Sequence, residues 1–307
     1  MQLSAQNIQY ISQKNIDKKK WDACIDNASN GLIYAYSIYL DRMARNWDAL
    51  VLNDYDAVMP LTWNKKYGIN YLYQPAFMAS GGLFGKNITA ETVKNFIDTI
   101  PQKFRLIEIS LNHENILPAT TGYSIMRDNY ILRLEKNYDE LYKNYRENIQ
   151  RNIRRCQQAG CYCKTNIPVE GIIALNKEQL SSVTKITDVD YEHFKSLYED
   201  LFTKGKAITY GIYSQTQELL ASAVYFFSHN RAYYILVGNH PNGRTLGASH
   251  FLIDRFIEDY SGKDLLLDFE GSDIRNLAFF YSSFGATQEI YPALRINKLP
   301  WWAKWLK

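Results

Sequence analysis

An α/β fold with mixed sheets, built as two tandem domains, is predicted by three observations. Strand-like and amphipathic helical segments alternate along the chain. The order of these segments in the first half recurs in the second at an offset of about 160 residues, the signature of a duplicated domain rather than of a solenoid. A long basic helix stands between the two runs. At 307 residues the chain is long enough for two cores. The boundary is predicted at 135/136, with residues 1–135 as the first domain and residues 136–307 as the linker helix plus the second.

In the first half, Asn7 to Ser12 reads as a short strand. Asp17 and Ser37 are placed to cap two helices, with Trp21, Cys24, Ile25 and Ala28 inward on the first and Leu40, Met43, Ala44 and Trp47 on the second. Ala49–Leu52 and Ala57–Trp63 form a hairpin around Asn53-Asp54-Tyr55-Asp56. Tyr71–Phe77 is a strand leading into a loop with Gly81, Gly82 and Gly85. Thr89 caps a helix with Val93, Phe96, Ile97 and Ile100 inward, and strands at Arg105–Leu111 and Asn129–Leu134 close the half.

The second half follows suit. Cys161–Thr165 reads as a strand, Lys177–Val183 as a short helix, and Tyr191, Phe194, Tyr198 and Leu201 as one helical stripe. A hairpin turns at Ser228-His229-Asn230-Arg231, and a Gly-containing loop leads into a helix with Leu252, Ile253, Phe256, Ile257 and Tyr260 on one side. Leu265–Phe269 and Ile290–Ile296 are the last strands. Tyr138 to Ala159 has no counterpart in the first half. It reads as one helix, ended by Gly160, with Tyr145, Ile149 and Ile153 inward and Lys143, Arg146, Arg151, Arg154 and Arg155 outward.

Bulk composition excludes several classes. A net charge of +3 is too small to argue for nucleic acid by itself. The longest apolar run, Leu219–Phe227, falls far short of a membrane span, and Met1 to Ile16 lacks the continuous apolar core of a signal peptide. Of the four cysteines, Cys161 and Cys163 would share a strand face, but no histidine stands at a zinc-ligand spacing. The expectation is a reduced, cytoplasmic protein without a metal. The five histidines are scattered, and no G-x-S-x-G elbow marks a hydrolase.

The order strand, Gly loop, helix, acidic strand, Tyr-bearing helix resembles the GNAT N-acyltransferase core. The doubling, together with Asn148-Ile149-Gln150-Arg151-Asn152-Ile153-Arg154-Arg155, resembles the FemABX-type tandem branch and its BioF2-like acetyltransferase relatives. Phe269-Glu270-Gly271-Ser272 followed by Phe280-Tyr281-Ser282-Ser283-Phe284-Gly285-Ala286 is similar to that branch's C-terminal signature. The resemblance implies acyl transfer to an amine from acyl-CoA such as acetyl-CoA, or from aminoacyl-tRNA as in the Fem ligases. Those ligases usually carry Lys where Tyr281 stands.

Amine acylation needs a grip on the donor's phosphates, a base for the amine and an acid for the leaving group. Arg244-Thr245-Leu246-Gly247-Ala248-Ser249 opens a helix, whose N–H groups and positive end suit a pyrophosphate. The segment resembles the GNAT R/Q-x-x-G-x-G/A pattern, with Ser249 in place of the last small residue, and it also reads as an ordinary Gly-started helix. Asp268 and Glu270 lie two apart on one predicted strand and so point to one side, where repulsion and burial would make one of them a base. A solvated strand end with a salt bridge is the alternative. By resemblance, Tyr281 protonates a leaving thiolate, and the first half binds the amine-bearing acceptor with Gln74 and Phe77 lining its site. A cell-wall precursor, a polysaccharide amine, a small metabolite and a protein amine all fit that description.

Arg151, Arg154 and Arg155 fall at i, i+3 and i+4 and are expected to share a face, either for tRNA or a phosphate-bearing substrate or simply in solvent. The Trp-rich tail from Leu299 to Lys307 is expected to dock onto the first domain. A non-catalytic binding protein that kept the fold and lost the donor site is the reading from another class.

Overall fold

A computed structural model describes residues 7–117, 123–180, 186–271 and 273–299. Trp301, Trp302 and Trp305 of the tail, Ser272 of the signature and Val183 lie outside them.

In chain order the elements are β1 (Ile8–Ile11), α1 (Lys18–Asn27), α2 (Ser37–Met43), β2 (Asn46–Leu52), β3 (Ala57–Lys66), β4 (Ile69–Leu72), β5 (Phe84–Gly85), α3 (Ala90–Thr99) and β6 (Phe104–Ser110). Then come β7 (Ser124–Arg133), α4 (Tyr138–Lys143), α5 (Glu147–Gln158), β8 (Tyr162–Thr165), α6 (Val169–Leu180), α7 (Asp188–Phe202), β9 (Ala207–Tyr213), β10 (Leu219–Ser228) and β11 (Arg231–Asn239). Last are α8 (Pro241–Leu246), α9 (Ala248–Tyr260), β12 (Leu266–Asp268), α10 (Arg275–Ser282) and β13 (Thr287–Asn297). Local chemistry accounts for the best-defined ends. The Asp17 carboxylate accepts from the N–H of Lys19 and of Lys20, and Thr89 accepts from Thr92. Thr187 and Asp190 form a reciprocal capping box on α7. Trp47, expected on the second helix, is instead a buried residue of β2.

The chain divides into two compact units: Met1–Arg127 with Ile290–Lys307, and Asp128–Glu289. In unit 1 the strand order is β1-β2-β3-β4-β6-β13, with β5 beside β3. All neighbours are antiparallel except β4 and β6, which are parallel across α3. Unit 2 has the order β8-β9-β10-β11-β12-β7, antiparallel except for β11 and β12, which are parallel across α8 and α9. Helix pairs occupy the same place in both, α1 and α2 after β1 and α6 and α7 after β8.

The two halves therefore share one topology, but the sixth strand is exchanged. Asn129–Leu134 and Ile290–Ile296 are the matching segments of the sequence repeat. The first lies beside β12 of unit 2 and the second beside β6 of unit 1. The 135/136 division differs from these units because a strand's alternation records which face is buried, not which sheet edge it joins.

The single basic linker helix is corrected too. It breaks at Asn144–Arg146, where Arg146 is extended (φ −65°, ψ 150°) and donates its N–H to Ser283 O at 2.9 Å. The Tyr145 ring packs edge-on against Phe284 at 5.2 Å. Burial of that ring outweighs helical propensity at the break. The second piece, α5, does not bridge the units through solvent: Ile149, Ile153 and Cys156 are buried in the core of unit 2 with Leu252, Phe256 and Phe284. No helix among the described residues is long and apolar enough to cross a membrane.

Candidate active site

In unit 2, β11 and β12 pair in parallel only from Arg231↔Leu266 to Tyr233↔Asp268. Beyond that point β11 runs on to Asn239 beside β10, while Phe269 donates its N–H to Tyr130 O of β7 at 3.0 Å. The two parallel strands thus part company at their C-terminal ends, where α/β sheets bind ligands. Asn239, at the end of β11, meets Ser249 of α9, and Phe269, just after β12, stacks on Tyr281 of α10.

Glu270 is not on the strand. It adopts φ +67° and Gly271 φ +83°, so the chain turns sharply after Phe269. The turn is held from below: Glu270 N–H donates to Asp268 Oδ1 at 2.8 Å and Gly271 N–H to Asn129 Oδ1 at 2.6 Å. A non-glycine residue in this region is uncommon, and here the bonds on either side over-determine it. Tyr281, on α10, is buried, and its ring stacks on Phe269 with centroids 4.6 Å apart. Burial first, and then the charge of Glu270, push its phenol well above the ordinary tyrosine range. A carboxylate and a protonated phenol thus lie within electrostatic reach of each other.

Asp268 does not join them, which corrects the expectation of two carboxylates facing one cleft. Its Oδ2 accepts from Arg231 Nη1 at 2.6 Å and its Oδ1 from Asn129 Nδ2 at 3.0 Å. Arg231 also grips Glu289 at 2.9 Å. Arg231, Asp268 and Glu289 are all nearly buried, with side chains 10%, 6% and 13% exposed. A buried aspartate with a guanidinium on one oxygen and two N–H donors on the other is a structural anion. Sequence reasoning missed Arg231, Glu289 and Asn129. The signal was an arginine at the start of an apolar strand, which had been assigned to the turn.

The predicted phosphate loop splits into two helices. Arg244 sits exposed in the last turn of α8, and Gly247 (φ +82°) both ends α8 and precedes α9. Gly247 is required twice over: an added Cβ would be strained at that φ and would meet Asn152 O of α5 at 2.7 Å. Ala248 is buried, and Ser249 turns its hydroxyl back onto Asn239 Oδ1 at 2.6 Å, at the end of β11. The extra bulk of the serine is thereby directed onto the strand. Arg155 reaches the junction by donating Nη1 to Thr245 O at 3.2 Å. The three arginines of α5 consequently diverge, because Arg154 bonds back to Gln150 O and bears electrostatically on Tyr142. Arg151, Arg154 and Arg155 are all exposed.

No curated protein matches the chain. The acetyltransferase (GNAT) domain family matches residues 143–273, from the end of α4 through the turn after β12. That segment is thus similar to a GNAT-type acetyltransferase domain. Across its length the chain is also similar in structure to FemX, at 13% identity over 92% of this chain and 96% of that one, with a TM-score of 0.63. A conserved protein of unknown function from Bacteroides thetaiotaomicron is similar at 12% identity, over 93% and 99%, with a TM-score of 0.60. The chain therefore has a FemX-like fold, with the GNAT-like domain in its second unit.

The Gly loop of unit 1 is built differently from that of the GNAT-like domain. Leu83 O accepts from the side-chain amides of Asn30, Asn112 and Asn115 at 2.8, 3.0 and 2.9 Å, and Leu83 N–H donates to Asn115 Oδ1 at 2.7 Å. Buried amides thus hold both backbone polar groups of Leu83. Gln74 lines a hollow of about 340 Å³ in unit 1, whereas Phe77 is not among its lining residues. Phe77 takes φ +57°, and its carbonyl accepts from the Tyr39 hydroxyl.

Two buried groups on α9 of the GNAT-like domain set a pH signature. Burial raises the Asp254 carboxyl from 3.8 to about 6, offset in part by the Tyr138 hydroxyl, which donates to it at 2.8 Å. Burial and then Arg155 lower His250 from 6.5 to about 4. The stability linked to Asp254 is present below pH 3.8 and lost as pH rises through about 6, while that linked to His250 is present above 6.5 and lost as pH falls through about 4. The two slopes oppose each other in the shared window. Asp254→Asn is expected to unmask the histidine, so that stability falls by about 1.4 kcal/mol per pH unit more steeply on acidification from pH 6 to 4. Urea denaturation at stepped pH measures this, and parallel curves for variant and parent would refute it.

Proposed function

We propose that the chain is an N-acyltransferase that takes its acyl group from acyl-CoA and gives it to an amine. The observation that carries this is the parting of β11 and β12 with Glu270 and Tyr281 at the opening. Glu270 receives the proton of the attacking amine nitrogen as the N–C bond forms. As the C–S bond breaks, Tyr281 gives its hydroxyl proton to the departing sulfur. Arg244 and the backbone from Gly247 to Ser249 would hold the donor's pyrophosphate, and Ser249 fits because its hydroxyl is committed to Asn239. Acyl-CoA would supply the activated acyl group and depart as the free thiol.

Calorimetry with CoA tests the donor. Saturable binding that weakens at least tenfold in Arg244→Glu is expected, and absence of binding to the parent protein would exclude acyl-CoA. A second reading, in which aminoacyl-tRNA is the donor, is favoured by the exposed arginines 151, 154 and 155 of α5. It requires tRNA binding that falls steeply with salt. The free thiols of Cys24, Cys156, Cys161 and Cys163 support a reducing, cytoplasmic setting.

A further inference from the structure

We propose that Asn152 and His250 are positioning residues of the donor site: joined side chain to side chain, they hold the backbone from Thr245 to Ser249 in place from behind. Asn148, Asn152 and Arg155 fall at i, i+4 and i+7 on α5 and so form one stripe of that helix. Each end of the stripe grips the α8–α9 junction at a different residue. Arg155 Nη1 donates to Thr245 O at 3.2 Å. Asn152 lies so close to Gly247 that a Cβ added there would meet its backbone O at 2.7 Å and its Cβ at 2.8 Å. The Asn152 amide then reaches His250 Nε2, in the first turn of α9, at 3.3 Å. Residues 245, 247 and 250 are thus held on both sides of the point where one helix gives way to the next. A single buried helix supplies all three contacts, which is how a loop is kept in one geometry.

The asparagine also fixes the chemistry of the ring. Its Nδ2 donates to Asn148 O at 2.9 Å, so the nitrogen of the amide, not its oxygen, faces the imidazole. His250 Nε2 is therefore the acceptor, and the proton of the neutral ring sits on the buried Nδ1. A second proton, on Nε2, would set two donors against each other. Burial first, and then the Arg155 guanidinium, hold the imidazole down at about 4, with the Gly247 carbonyl acting the other way. From α10 the ring meets only Phe280, edge-on at 4.9 Å, and Phe284 at 6.5 Å. Asp254, one turn further along α9, accepts from the Tyr138 hydroxyl. Because Phe280 directly precedes Tyr281, the same imidazole ties the loop to the helix that carries the phenol.

The grip itself is a property of α5, α8 and α9, whereas its use rests on the acyl-CoA reading, so the test separates the two. Asn152→Asp keeps the shape and exchanges a donor for an acceptor. Its carboxylate should draw a proton onto His250 Nε2, so that the imidazole, followed by NMR in the whole chain, titrates about one pH unit or more above its value in the parent. CoA binding, measured by calorimetry against the parent at the same pH, should be at least tenfold weaker at pH 8. The gap should close as pH falls through the new imidazole value, because the hydrogen bond re-forms in reverse. Asn152→Ala should stay at least tenfold weak at every pH, and amide exchange over residues 244–249 should quicken at least tenfold while β9 and β10 are unchanged. Melting temperatures establish that both variants are folded. Undiminished CoA binding in the variants, or a loss in Asn152→Asp that is the same at every pH, overturns the proposal. A parent that binds no CoA rejects the acyl-CoA reading alone. Exchange and the imidazole titration then decide the grip, and unchanged exchange over 244–249 or an unmoved imidazole overturns it.

Discussion

Glu270→Gln and Tyr281→Phe are each expected to lower kcat by a factor of about 10² to 10⁴, with the protein still folded. Both changes are small. Glutamine keeps the shape of the side chain, and the left-handed turn is held by the backbone N–H groups of Glu270 and Gly271, which the variant retains. Phenylalanine keeps the ring that stacks on Phe269 and removes only the hydroxyl. A proton-transfer role predicts loss in kcat with little change in KM for the donor, because neither group is assigned to the pyrophosphate. Steady-state rates alongside melting curves decide the matter. Unchanged turnover in Tyr281→Phe removes its role as the acid, and unchanged turnover in Glu270→Gln removes the base.

Arg231→Leu is expected to destabilise the protein by about 3–5 kcal/mol. It leaves Asp268 and Glu289 buried without their shared cation, and Asn129 can neutralise neither. Adding Asp268→Asn to Arg231→Leu should recover part of the loss, because one of the stranded charges is gone. The double-mutant cycle then gives a coupling well outside additivity. Urea midpoints measure all four proteins. A single-variant loss below about 1 kcal/mol, or strict additivity, would show that the pair behaves like an exposed one.

Much of the fold was legible because its signals are local. Asp17, Thr89 and the stripe Tyr191, Phe194, Tyr198, Leu201 each announce a helix through groups a few residues apart, and α1, α3 and α7 stand where those signals put them. The doubling of the element order was legible for the same reason. What escaped depends on partners far away in sequence. The break at Asn144–Arg146 is imposed by Ser283 and Phe284, and Arg231 acquires meaning only from Asp268 and Glu289. At the candidate site, the spacing of Asp268 and Glu270 suggested two carboxylates aimed together. The sharp turn after Phe269 separates them: Asp268 is bound to Arg231 and Asn129, while the charge of Glu270 bears on Tyr281.

The exchanged sixth strand bears on the order in which the molecule can mature on the ribosome. Every strand of unit 2 lies in one uninterrupted stretch, and β7, which flanks β12, is made before the rest of that sheet. Unit 1 is in the opposite position. The edge of β6 gains its neighbour only when Ala293–Asn297 have been synthesised, after the whole of Asp128–Glu289. During elongation the N-terminal half must wait with an unsatisfied strand edge while the later half is already able to close, so the part translated first is the last that can be completed.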